Sequence, residues 1–170
     1  MTTTSKPSIE VQPGHARRFL WVALAAAVMT YLLIVVGGIV RVTGSGLGCP
    51  DWPLCYGRLI PPFEFTALIE YSHRLTASLT SPLILATTIY AWLRFRGERW
   101  LTRLSAISLV LLAVQVVLGG ITVLTETPPN IVAVHLGNAL LILAIQIVIA
   151  VLAFRVRAGE PAELTLRTPL

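Results

Sequence analysis

Two histidines and one cluster of charged residues are the side chains of this sequence best suited to chemistry. Glu70, His73 and Arg74 form the pattern E-x-x-H-R, and residues three and four apart on a helix share a face. His135 lies in a separate apolar run. Imidazole binds metals and exchanges protons near neutral pH, and a carboxylate one turn away can accept or donate such a proton. The structural alternative is an ion pair between Glu70 and Arg74 that offsets two charges.

The composition indicates what kind of protein must position these residues. Of the 170 residues, 55% are hydrophobic and only 12% are charged, whereas a soluble domain carries about 25% charged residues. The net charge of +5 comes from short basic clusters between apolar runs, which is how membrane proteins distribute lysine and arginine. The composition therefore excludes a soluble enzyme, a disordered tail and a nucleic-acid-binding module.

Four apolar runs are long enough to cross a bilayer, which requires about 20 helical residues. We predict an all-α membrane protein, a four-helix transmembrane bundle with up-down-up-down topology. The predicted helices span residues 19–40, 67–93, 104–124 and 131–154, and residues 41–66 form an outer loop. Residues 1–18 and 155–170 are predicted to be polar cytoplasmic tails.

The positions of lysine and arginine predict the orientation, because cytoplasmic loops are enriched in these residues. The basic residues on one side of the predicted bundle are Lys6, Arg17, Arg18, Arg94, Arg96, Arg99, Arg103, Arg155, Arg157 and Arg167. The opposite side has only Arg41 and Arg58. We therefore predict a multi-pass protein of the cell membrane with both termini in the cytoplasm.

The sequence contains an internal repeat. The segment from Val35 to Thr43 (VVGGIVRVT) is similar to the segment from Val116 to Thr125 (VVLGGITVLT). After each segment the chain crosses an outer loop and enters a helix that carries one histidine, and the longer first loop contains both cysteines. We predict two parallel two-helix repeats related by a pseudo-twofold axis along the membrane normal.

The repeat places the two histidines at a similar depth. His73 lies about six residues into its helix and His135 about four, or ~9 Å and ~6 Å at 1.5 Å per residue. Helices 2 and 4 are diagonal neighbours in such a bundle, so the two imidazoles can ligate one haem iron from opposite faces. The pairs Gly37-Gly38 and Gly119-Gly120 lie at matching helix ends, where glycine gives a flat macrocycle room. The sequence therefore predicts a bis-histidine haem site.

Each of these features also has a structural explanation when it is taken alone. A single histidine in a membrane helix is often a hydrogen-bonding residue, and adjacent glycines often only allow close helix packing. Two histidines at equal depth, each with glycines at equivalent positions, favour haem binding, because ionisable residues inside membranes are functional by default.

The neighbouring polar residues suggest how such a site would work. Arg74 would neutralise Glu70 or a haem propionate. Helix 4 has no counterpart of Glu70, and this asymmetry favours catalysis over simple electron transfer. Gln115 and Gln146 are interpreted as hydrogen-bond partners between helices, and Asn138 either lines the site or serves packing.

Cys49 and Cys55 both lie in the predicted outer loop, where a disulfide can persist. Their spacing is not C-x-x-C, so neither a thioredoxin-type site nor a zinc site is indicated. The sequence also lacks C-x-x-C-H, the motif of covalent haem attachment. The pair is either a bridge that closes a loop rich in proline and glycine or a redox-active pair that takes part in turnover.

Several of these motifs, in this order, resemble the haem A synthase family. The segment from Gly37 to Gly57 (GGIVRVTGSGLGCPDWPLCYG) is similar to the first outer loop of that family, and Ile69–Arg74 resembles its E-x-x-H-R element. The residues that resemble the entry to its fourth helix are Thr122–Thr125, Pro128-Pro129 and His135-Leu136. The resemblance covers residues 37–138.

The resemblance implies a reaction and the residues that carry it. The reaction is oxidation of the C8 methyl group of haem O to a formyl group, which gives haem A for terminal oxidases. The implied roles are iron ligation by His73 and His135, an essential acidic role for Glu70, and a disulfide between Cys49 and Cys55. The haem is haem O or haem A as substrate and product, or haem b as a cofactor.

The chain resembles only the first of two four-helix halves in the usual family member. Three explanations of this half length remain open: a natural half-size form, a divergent single-haem relative, or one subunit of a split enzyme. The implied partners are haem O, the lipid bilayer, a second copy in a homodimer or a second haem-binding half, and haem O synthase or a terminal oxidase as assembly partners. The competing functions are a non-catalytic membrane cytochrome b, which carries electrons or handles haem, and a small transporter.

Overall fold

The computed structural model describes residues 12–164 and contains four long helices. The helices are α1 (Pro13–Val42), α2 (Phe65–Arg94), α3 (Arg99–Leu124) and α4 (Pro129–Arg157). In the described residues the only extended pairing is a single bridge between Cys55 and Arg58. The predicted all-α bundle is confirmed. Lys6 and Arg167, which contributed to the predicted orientation, lie outside the described residues.

The helices extend beyond the predicted apolar runs, because only the part of a helix inside the bilayer must be apolar. α1 begins at Pro13, so Arg17 and Arg18 are helical and do not belong to a polar tail. α4 continues to Arg157. The predicted tail at residues 155–170 is also partly packed, since Ala162 is buried and its N–H donates to the Glu98 carboxylate at 3.0 Å.

Three of the helices, α1, α3 and α4, are long and apolar enough to cross a membrane. α2 is equally long, but Glu70, His73, Arg74 and a series of serines and threonines make it more polar. The hydroxyl groups of Thr80 and Thr87 donate to carbonyl oxygens four residues earlier, so these side chains are satisfied within the helix. The chain is an integral membrane protein. That α2 also crosses the membrane remains a prediction.

The four helices form a ring. α1 and α3 each pack against α2 and α4, and within residues 12–164 no contact joins α1 to α3 or α2 to α4. α1 and α2 run antiparallel, because Gly37 lies beside His73 at one end and Phe19 lies beside Phe95 at the other. We call the end that holds residues 43–64 and 125–128 the loop end, and the opposite end the terminal end.

The apolar core is concentrated at the terminal end. The buried side chains there include Phe19, Phe95, Leu101, Ile149 and Leu152. His15, which lies in the predicted tail, is in the first turn of α1, and its Nδ1 lies 3.0 Å from the Tyr90 hydroxyl. A smaller cluster around Ala26, Ile84 and Ile142 lies further along the bundle. In the described part of the chain, neither cluster includes residues beside His73 or His135, so hydrophobic packing is densest away from the histidines.

The ends of α1 and α3 repeat the same hydrogen bonds. Beyond each helix, two successive N–H groups donate back to carbonyl groups of the last turn. The bonds are Gly44 to Arg41 (3.3 Å), Ser45 to Val40 (2.9 Å), Glu126 to Val123 (3.1 Å) and Thr127 to Thr122 (2.7 Å). These hydrogen bonds require one residue after the helix in the left-handed backbone conformation. That residue is Gly44 (φ 67°) after α1 and Glu126 (φ 62°) after α3.

We predict that exchanging residue types at the two helix ends changes stability in opposite directions. Gly44→Ala should destabilise the fold by about 1 kcal/mol, because a Cβ is disfavoured in the left-handed region. Glu126→Gly should relieve the same strain and be neutral or stabilising. Thermal unfolding of both variants in detergent, followed by circular dichroism, measures the difference. Equal destabilisation by both changes would contradict the interpretation.

Candidate functional site

Arg74 joins α2 to the loop that precedes it. Its Nη1 donates to the carbonyl groups of Asp51 (2.7 Å) and Leu54. Its Nη2 donates to the carbonyl group of Cys49 (2.9 Å) and to the carboxylate of Glu70. The two Nη groups carry four protons in all, and these four bonds use them. Arg74 therefore neutralises Glu70, as predicted, but it has no Nη proton left for a haem propionate.

Glu70 is a buried carboxylate with two charged or polar partners. Its side chain is only 5% exposed. One carboxylate oxygen accepts the N–H of Cys49 at 2.8 Å, and the other accepts from Arg74. A buried charge is tolerated only when it is paired and hydrogen-bonded. The ion pair considered in the sequence analysis is thus present, and it also holds the loop.

The loop segment between the cysteines is closed and internally hydrogen-bonded. The disulfide between Cys49 and Cys55 that the resemblance implies is present, and both residues are buried. The Asp51 carboxylate accepts the N–H groups of Tyr56 (2.5 Å) and Gly57 (2.7 Å). The Gly57 bond contributes most to holding the pKa of Asp51 below its ordinary value. This contribution to stability is therefore present at neutral pH and is lost only as the pH falls through the lowered pKa.

His73 and His135 both face the inside of the bundle near the loop end. Each lies seven residues, or about two turns, before the first of a line of buried residues on its own helix, whose members are three or four residues apart. The lines are Thr80, Ile84, Thr87 and Ala91 on α2, and Ile142, Gln146, Ile149 and Ala153 on α4. The two helices are diagonal in the ring. The fold thus places the two predicted ligands on opposite helices of the ring, near the same end.

Two of the four predicted glycines lie directly beside the histidines. A Cβ on Gly37 would be 3.2 Å from Nε2 of His73, and a Cβ on Gly119 would be 3.4 Å from Cε1 of His135. Both distances are at or below the closest that a methyl group normally approaches. Gly37 and Gly119 occupy equivalent positions of the two halves. Because neither has a side chain, each leaves room for the neighbouring imidazole.

The other two predicted glycines have different surroundings. Gly120 packs against the indole ring of Trp52, which would lie 3.3 Å from a Cβ at this position. Gly38 is exposed and has no neighbour within 4 Å of such a Cβ. Gly120 thus receives a side chain of the outer loop, whereas Gly38 does not face the histidines.

Gln115 contacts His135, although the sequence analysis did not count it as a site residue. Its Nε2 lies 3.1 Å from Nε2 of His135, and its Oε1 accepts from the side-chain amide of Asn138 at 2.7 Å. An amide nitrogen donates, so this contact makes Nε2 of His135 the acceptor and assigns the ring proton to Nδ1. That Nδ1 is buried and has no hydrogen-bond partner among the described residues. The signal for Gln115 is its position four residues before Gly119, on the same helix face.

Comparison with known proteins identifies the family. A family model described as COX15-CtaA, cytochrome oxidase assembly protein, matches residues 19–169. The chain belongs to the COX15-CtaA family. The resemblance recognised from the motifs is thereby confirmed.

Individual relatives match most of this chain but less than half of their own length. Heme A synthase of Lysinibacillus sphaericus is 36% identical over 145 residues, which are 84% of this chain and 47% of the relative. Heme A synthase of Bacillus pumilus is 33% identical over 145 residues, which are 81% of this chain and 46% of the relative. The chain spans about half the length of the curated relatives it matches.

We predict that Arg74→Lys accelerates reduction of the Cys49–Cys55 disulfide by about tenfold or more. Lysine lacks the planar fork of donors, and loss of a charge-assisted hydrogen bond costs about 1.5–3 kcal/mol. The buried disulfide would then be exposed more often by local opening of the loop. Thiol labelling during treatment of the detergent-solubilised protein with a phosphine reductant measures the rate. Arg58→Lys is the matched control, and equal rates in the two variants would show that Arg74 does not hold the loop.

Proposed function

We propose that the chain binds haem between His73 and His135 and acts in haem A biosynthesis, oxidising the C8 methyl group of haem O to a formyl group. The observation that carries this proposal is the pair of imidazoles on diagonal helices, away from the dense apolar core. Each imidazole lies beside a glycine at an equivalent position of the repeat. Membership of the COX15-CtaA family supports the same function.

The donor set fits haem better than a free metal ion. Among residues 12–164, no group of three or more His, Cys, Asp or Glu side chains is placed to hold a metal. Haem requires only axial ligands from the protein, because the porphyrin supplies the others. A Cβ at Gly37 or Gly119 would crowd the neighbouring imidazole, so glycine keeps the space beside each ring free of side chains. These features support haem as the bound group.

The proposal gives each surrounding residue a defined task. Bound haem supplies the redox chemistry, and His73 and His135 hold its iron. Nε2 of His135 presents the lone pair that a metal takes, so the Gln115 amide that now donates to it must move aside. Glu70 exchanges a proton through its carboxylate, one helical turn from His73, while Arg74 and the Cys49 N–H orient that carboxylate.

The proposed assembly follows from the repeat and from the length of the relatives. The matching hydrogen bonds beyond α1 and α3 support an up-down-up-down bundle with a pseudo-twofold axis. The described ends of the chain lie together at the terminal end, which supports termini on one side of the cell membrane, proposed to be the cytoplasm. Because the relatives are about twice as long, we propose that a second copy or another haem-binding half completes the enzyme. Haem O synthase and a terminal oxidase are the proposed assembly partners.

We predict that purified protein loaded with haem shows a low-spin, six-coordinate spectrum, and that His73→Ala and His135→Ala each abolish it. Both imidazoles are required because each would hold the iron of the bound haem. His15→Ala is the matched control, since this histidine contacts Tyr90 at the terminal end. Absorption spectra of all three variants test the prediction. A full low-spin spectrum in either single ligand variant would refute ligation across the bundle.

We predict that Glu70→Gln retains haem but loses conversion of haem O by at least 100-fold, the lower range for acid–base catalysis. An amide can keep the hydrogen bond from Cys49, but it cannot exchange the proton. The protein is incubated with haem O, a reductant and dioxygen, and the extracted haems are separated by chromatography. Hydroxymethyl or formyl products from the unmodified chain are expected.

Two results would change the proposal. Unchanged haem O with low-spin iron in the unmodified chain would favour a non-catalytic cytochrome b. If Glu70→Gln converts haem O normally, Glu70 serves only as a structural partner of Arg74. The rate of disulfide reduction in Glu70→Gln separates a chemical role from loosening of the loop.

A further inference from the structure

The inward-facing line of residues on α1 ends in a charged residue. The buried members are Ala16, Leu20, Ala23, Ala27 and Thr30, at spacings of three and four. The same spacing continues through Ile34 and Gly37 to Arg41. Gly37 faces His73, and Arg41 lies one turn further toward the loop end, ~6 Å along the axis. Side chains on a helix lean toward its N-terminus, which would carry the Arg41 side chain over the turn that contains Gly37.

The fold itself gives no reason for a cation at this position. Arg41 is exposed, and its guanidinium has no hydrogen-bond or ion-pair partner in the part of the chain that the structure describes. A cation at a helix C-terminus can stabilise the helix dipole. However, α3 ends with the same hydrogen bonds and has the neutral Val123 at the equivalent position. Termination of the helix therefore does not require Arg41.

The other cations near the loop end are unsuited to a ligand between the histidines. Arg74 has committed its four Nη protons to the loop and to Glu70. Arg58 lines a separate cavity of about 160 Å³ together with Tyr71, Leu75 and Ser78 of α2. At 100° per residue, these three positions lie about 140–160° around α2 from His73. Of the described cations near the loop end, Arg41 is thus the one that continues the line through Gly37 and has its guanidinium donors unengaged.

We propose that Arg41 binds a propionate carboxylate of the haem held by His73 and His135. Guanidinium and carboxylate form short, charge-assisted and often bidentate hydrogen bonds. The residue would fix the macrocycle with its carboxylates toward the loop end, and it would distinguish the first half of the repeat from the second. This inference rests on the proposed haem site, and its test measures binding without requiring conversion.

The test compares haem b with its dimethyl ester, in which both carboxylates are masked. Detergent-solubilised full chain is titrated with each compound, and the low-spin absorbance gives the affinity. Arg41→Gln should weaken binding of haem b by roughly 10- to 100-fold, as expected for one charge-assisted hydrogen bond. The same variant should bind the ester as the unmodified chain does, and Arg41→Lys should retain part of the affinity for haem b. Arg58→Gln is the matched control and should bind both compounds normally.

The outcomes separate this inference from the proposed function. If Arg41→Gln binds haem b as tightly as the unmodified chain, or weakens haem b and the ester equally, Arg41 does not bind a propionate although the haem site stands. A low-spin spectrum at saturation in Arg41→Gln shows that the histidine ligands are intact. If the unmodified chain gives no low-spin haem, the proposed haem site fails, and the role of Arg41 fails with it.

Discussion

The hydrogen bonds of the Arg74 guanidinium are the interaction on which the loop end of this protein depends. One side chain of α2 reaches three carbonyl groups of the loop and the carboxylate of Glu70. A half-buried arginine with fewer partners would be costly, and so would the loop carbonyls without donors. The disulfide closes the segment that Arg74 holds. The loop that carries Trp52 to Gly120 is thereby fixed relative to α2 and α3.

The bundle divides its length between packing and chemistry. Apolar side chains fill the terminal end, where burial and dispersion stabilise the four helices against one another. Nearer the loop end, the inward positions hold histidines, glycines and amides. His73 and His135 therefore have fewer apolar contacts around them than residues at the terminal end have, and their imidazole nitrogens face the interior. In a membrane protein such polar interior positions are costly, which is why they indicate function.

The two halves share geometry but differ in chemistry. Matching hydrogen bonds end α1 and α3, and each half sets one glycine beside one histidine. The first half adds Glu70, Arg74 and the closed loop, whereas the second surrounds its histidine with the amides of Gln115 and Asn138. The proposed haem site therefore has charged groups on one side and neutral amides on the other. The chain spans about half the length of the curated heme A synthases that it matches.

The sequence by itself determined the class of protein, the four helices and the family, because composition, periodicity and motif order are local properties of the chain. It also suggested the Glu70–Arg74 pair, which are one helical turn apart. Only the tertiary structure decided that Arg74 is committed to loop carbonyls, that Gly37 and Gly119 face the histidines while Gly38 does not, and that Gln115 contacts His135. These outcomes depend on the rotation of each helix and on the path of the loop. Contacts between residues distant in sequence set both, and no local pattern specifies them.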